Sequence, residues 1–82
     1  MASQESELDI GKRVRAVMAK ALKVDTIPDS ARRGEFEPWD SLGHLLIVDA
    51  IEANFDVRIT PEQAVAMDSI KSFENLIAED AS

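Results

Sequence analysis

The sequence predicts an all-α domain of four helices, with a long first connection and a short third helix. Three observations carry this expectation. Apolar residues recur at spacings of three and four in three separate stretches, the pattern of helices with a buried face. Thr60-Pro61-Glu62-Gln63 is a complete helix start, with a capping threonine, a proline at the first helical position and a glutamine closing a capping box. The one stretch that alternates like a strand, Phe55-Asp56-Val57-Arg58-Ile59, has no second strand to pair with. It is expected to be an extended connector that buries Val57 or Ile59.

The first helix is expected over about residues 6–22, where Leu8, Gly11, Val14, Val17, Met18, Ala21 and Leu22 form one apolar stripe. Glu5, Glu7 and Asp9 stand in its first turn, and Lys20 and Lys23 at its end; both placements oppose the helix dipole. A connection over about residues 23–39 follows, with Pro28, Gly34 and Pro38 and no period. Connections this long are uncommon inside a compact domain unless functional or specially packed. Ile27, Phe36 and Trp39 are expected to pin it to the bundle. The second helix spans about residues 41–54, capped by Asp40 and slightly weakened by Gly43. The third starts at Thr60-Pro61 and ends near Met67-Asp68. Ser69 caps the fourth, which runs from Ile70 to about Glu79 with Ile70, Phe73, Leu76 and Ile77 facing inward. Asp80-Ala81-Ser82 is expected to fray.

The 82 residues are read as one domain, 1–82, with a thin core. There is no cysteine, which excludes disulfides and thiolate metal sites and fits a reducing compartment. No apolar run approaches a membrane span, and the first residues lack the basic and apolar regions of a secretory signal. A cytoplasmic, monomeric protein is expected. The net charge of −7 argues against nucleic acid as a partner. The charge is also uneven. Residues 1–33 carry seven Lys/Arg against five acids, whereas residues 34–82 carry two against eleven, or +2 and −9. The acidic part would steer basic protein partners toward it, although acidity for solubility alone explains it equally well.

The second helix has apolar residues on more than one face. Ile47, Ala50 and Ile51 share a side with Gly43 and are expected in the core, flanked by Val48 and Phe55. Ser41, Leu45, Asp49, Glu52 and Asp56 lie opposite, with Leu46 nearby, and the three acids form an edge at spacings of three and four. Leu45 and Leu46 cannot both be buried beside Ile47 and Ile51. The expectation is that the first connection folds back over them; the alternative is that one faces a partner or lines an interior cavity. Ser41 falls where the first backbone N–H groups of the helix lack partners and the dipole is positive, a position that favours an attached phosphate.

Asp40-Ser41-Leu42, followed by Ile47-Val48, Ile51-Glu52 and Phe55-Asp56-Val57-Arg58-Ile59, resembles the acyl carrier protein family. Thr60-Pro61-Glu62 is similar to that family's third-helix start, and Ser69-Ile70 through Leu76-Ile77 to its fourth helix. The resemblance spans nearly the whole chain and is least specific in the first connection. It implies a four-helix bundle of acyl-carrier type. It also implies a 4′-phosphopantetheine arm, taken from coenzyme A and joined to Ser41 by a phosphodiester, whose thiol holds acyl groups as thioesters. Such a protein is not an enzyme; it presents cargo to biosynthetic enzymes of fatty acid, lipid or polyketide type. Asp40 and Leu42 would be read by the phosphopantetheinyl transferase. Leu46, Asp49, Glu52 and Asp56 would face the basic patches of acyl-loading and acyl-transferring partners. The chain looks like a free-standing carrier. Trp39, Gly43 and His44 depart from the housekeeping fatty-acid carriers and are similar to specialised ones, which leaves the cargo open.

Other readings use the same residues. Asp40, Ser41 and His44 contain the residue types of a hydrolytic triad, but Asp40 adjoins Ser41 and does not lie beyond the imidazole, and no Gly-rich loop offers an oxyanion hole. His44 is expected at the surface or against a partner, and scattered carboxylates around one histidine give no metal site. An aminoacyl or peptidyl carrier would use the same arm with a less acidic helix surface. An arm-free acidic interaction module would have no use for the Ser41 hydroxyl.

Overall fold

The computed structural model describes residues 7–81, whose secondary structure is four helices and no strand. They are α1 (Glu7–Leu22), α2 (Ser41–Phe55), α3 (Pro61–Ala66) and α4 (Ile70–Ala81). Glu5 and Ser6, expected in the first turn of α1, lie outside the described residues. None of these helices is long and apolar enough to cross a membrane.

Helix α1 packs against both α2 and α4. Its stripe delivers Val14 and Met18 to the core with Ala19, while Val17, Ala21 and Leu22 lie half-buried against it. α2 contributes Ile47 and Ile51, and α4 contributes Ile70, Phe73 and Ile77. Ala50 is only half-buried, at the margin of the face assigned to it. The irregular segments fill the rest: Ile27, Ala31 and Trp39 from the first connection, Ile59 before α3 and Met67 after it. The pinning expected of Ile27 and Trp39 is therefore present, and Phe36 is half-buried beside them.

Local signals set the helix ends. α1 stops in a Schellman arrangement, with Val24 N–H donating to Ala19 O (2.9 Å) and Lys23 N–H to Lys20 O (3.1 Å). That geometry places Lys23 at φ 60°, where glycine is the usual residue. α3 carries the expected capping box: Gln63 N–H donates to Thr60 Oγ1 (3.1 Å) and Thr60 N–H to Gln63 Oε1 (2.9 Å). Ser69 and Ser72 form the same reciprocal pair at the head of α4.

The first connection has no helix, as expected. It descends through successive turns held by Ala31 N–H to Pro28 O, Phe36 N–H to Arg32 O and Trp39 N–H to Phe36 O. Gly34, at φ 87°, lets the chain double back so that its N–H reaches Trp39 O at 3.0 Å. Arg32 ties the segment across the molecule through an ion pair to Asp68 at 2.8 Å. These turns bring the chain to Asp40 at the mouth of α2.

Candidate functional site

Asp40 is the N-cap of α2 as expected: its carboxylate accepts from Gly43 N–H at 2.8 Å. Ser41 is therefore the first helical residue, and it is exposed. A shallow open depression beside it is lined by Arg33, Gly34, Asp40, Ser41, His44 and Leu45. The depression joins the first connection to the start of α2. Ser41, the start of α2 and Arg33 thus border one solvent-open hollow.

His44 is a correction. It was expected at the surface or against a partner, yet only 6% of it is exposed. Its ring forms a three-ring cluster with Trp39 and Phe73, with centroids 6.2 and 6.1 Å away. Trp39 Nε1–H donates to His44 Nδ1 at 3.0 Å, and because an indole nitrogen can only donate, Nδ1 must be unprotonated. Nε2 then carries the proton and donates to Ala64 O at 2.7 Å. Burial pushes the His44 pKa below its ordinary value, the bond to Ala64 O opposes that, and the nearby Arg33 charge adds to the lowering. Both ring nitrogens are engaged by Trp39 and Ala64, so neither is left to serve the Ser41 hydroxyl.

Gly43 is a second correction. It does not merely weaken α2; a Cβ there would stand 2.5 Å from Pro38 O and 2.8 Å from Leu22 Cδ2. The glycine lets the head of α2 press against the first connection and the end of α1.

The first connection also does not cover Leu45 and Leu46, which are 64% and 44% exposed. It turns inward at Ala31 and Trp39 instead. Leu42 is exposed as well, and so is Val65 on α3. The acidic edge divides by role. Asp49 is exposed on α2, and Asp56 is an exposed left-handed C-cap at φ 54°. Glu52 is half-buried and accepts from Ile59 N–H at 2.7 Å, which fastens the connector before α3 to α2.

Sequence reasoning missed Arg33. Its backbone N–H donates to Asp68 O (3.1 Å) and its Nη2 to Val65 O (2.9 Å), so the residue is fixed against the end of α3. The only hint in the sequence is its place at the boundary between the basic and acidic parts of the chain. No known family model matches this chain, and no curated protein matches it significantly.

Proposed function

We propose that this chain is a carrier of the acyl carrier protein type, with Ser41 as the attachment point of a 4′-phosphopantetheine arm. The supporting observation is the exposed Ser41 hydroxyl on the first residue of α2, one residue after the cap that fixes the helix start. The residues present fit such a group. A phosphodiester on Ser41 would meet unpaired N–H groups of the first helical turn and a guanidinium in the same hollow, and the hollow is open to solvent. When bound, the group supplies a terminal thiol that carries acyl cargo as a thioester.

Attachment needs only the hydroxyl from this chain. The Ser41 Oγ–phosphorus bond forms, the bond from that phosphorus to adenosine 3′,5′-bisphosphate breaks, and a base of the transferase takes the hydroxyl proton. His44 has no free nitrogen for that duty. Exposed Leu42, Leu45 and Leu46, rimmed by Asp49, give partner enzymes an apolar surface with an acidic border.

Intact mass after exposure to coenzyme A and a broad-specificity phosphopantetheinyl transferase tests the reading. Wild-type protein gains the mass of one arm and Ser41→Ala gains nothing; wild-type protein left unmodified by several transferases refutes it. The mass of protein isolated from its native source then separates acyl from aminoacyl cargo.

The acidic edge gives a second test. Asp49→Lys slows association with a loading enzyme about tenfold at low salt, flattens the salt dependence and leaves thermal stability within about 0.5 kcal/mol. Glu52→Lys is expected to lose stability as well, because Ile59 N–H loses its acceptor. Unchanged association for Asp49→Lys, measured by stopped flow, would place recognition away from this edge.

A further inference from the structure

We infer that Arg33 ties a phosphodiester on Ser41 to helix α3, so that arm attachment tightens α3. The inference rests on the carrier reading above. Among the six residues lining the hollow beside Ser41, Arg33 is the only permanent cation. Asp40 lines it too and adjoins Ser41, so a phosphate there has an anion beside it and one guanidinium to balance the charge.

Arg33 is already committed on one side. Its Nη2 donates to Val65 O, and its backbone N–H to Asp68 O. A guanidinium has five N–H donors arranged as a planar fork, so a carbonyl on one edge leaves donors for an anion on another. Lysine has the charge without the fork.

What lies across from Arg33 is weakly held. α3 is six residues long and buries no side chain of its own. Apart from half-buried Ala64 and the buried flanks Ile59 and Met67, its C-terminal carbonyls attach it: Ala64 O accepts from His44 and Val65 O from Arg33. Both donors line the Ser41 hollow. Fixing the guanidinium by a phosphate removes much of the rotamer freedom that its bond to Val65 O must otherwise freeze. Occupation of Ser41 is therefore felt at α3 through one side chain.

Amide hydrogen exchange measured by NMR on apo and arm-bearing protein tests this. In wild-type protein the arm slows exchange of the Ala64 and Met67 amides about fivefold, the lower end of ordinary coupling between sites, while α4 amides are unchanged. The Arg33 Nε–H resonance shifts on arm attachment. In Arg33→Gln the slowing disappears, and in Arg33→Lys it falls below about twofold. The wild-type pair decides the matter even where a variant folds poorly. Arm-bearing wild-type protein without slowed α3 exchange, or equal slowing in Arg33→Gln, overturns the inference and leaves the carrier reading standing. Failure of any arm to attach overturns both.

Discussion

Gly43→Ala lowers the stability of the protein by about 2 kcal/mol, against the usual direction of a glycine-to-alanine change within a helix. Helix propensity alone favours alanine by about 1 kcal/mol. Overpacking typically costs about 3 kcal/mol at the high end, and here the obstacle is the Pro38 carbonyl, 2.5 Å from the new methyl. A backbone carbonyl cannot swing aside as a side chain can. Steric cost wins, and the melting temperature falls by roughly 10 °C. Leu22→Ala added to Gly43→Ala removes the second close atom, Leu22 Cδ2, but leaves the carbonyl, so it gives no rescue. Thermal unfolding followed by circular dichroism reads both. A neutral or stabilised Gly43→Ala would mean that α2 can lift from the connection without loss. The position matters for function because the same approach sets Asp40 and Ser41 at the edge of the hollow.

Helix boundaries were legible wherever the signal was local. Thr60, Pro61 and Gln63 lie within four residues and satisfy one another in the fold as the sequence implies. Asp40 caps α2 through the N–H three residues on. The stripes of α1 and α4 reached the core because each has one strongly apolar side. α2 is apolar nearly all round, so periodicity alone could not choose among Leu42, Leu45 and Leu46; the choice was made by which side α1 and the first connection occupy.

The site was legible in its hydroxyl and its cap and hidden in its surroundings. Gly43 reads as a weak point until Pro38 O is placed against it. Glu52 reads as one of three edge acids until the chain turns back and offers Ile59 N–H. Arg33 approaches Ser41 only through the turns at Gly34 and Trp39 and the bonds to Val65 and Asp68. Each depends on a carbonyl or N–H group placed by tertiary folding, and backbone groups leave no mark in a residue pattern.

Acidification below about pH 6.5 destabilises the protein through His44, and His44→Gln removes that loss. The sign follows from the direction of the shift. Burial holds the folded-state pKa of His44 under its ordinary value of 6.5, so in the window between the two values the unfolded chain binds the extra proton. Stability is full above about pH 6.5 and falls as pH drops toward the folded value, by at most about 1.4 kcal/mol per pH unit for one proton. The geometry explains the penalty. A proton on Nδ1 would face Trp39 Nε1–H, two donors meeting where one bond had been, inside a cluster with Phe73. Glutamine can accept from Trp39 and donate to Ala64 O without titrating, so its stability stays flat between about pH 7.5 and 5.5 over this contribution. His44→Leu also removes the titration but leaves a fully buried indole N–H without its acceptor, and Ala64 O with Met67 N–H as its remaining donor, at a cost of about 2 kcal/mol at neutral pH. Urea unfolding at several pH values, followed by the fluorescence of Trp39, the single tryptophan, measures all three proteins. Equal acid loss in wild type and His44→Gln would assign the effect to other groups. The loss falls on the Trp39 side of the ring, because Nε2–H still donates to Ala64 O in the imidazolium and that bond favours the charged form, so the tie from His44 to α3 at the hollow beside Ser41 survives the titration.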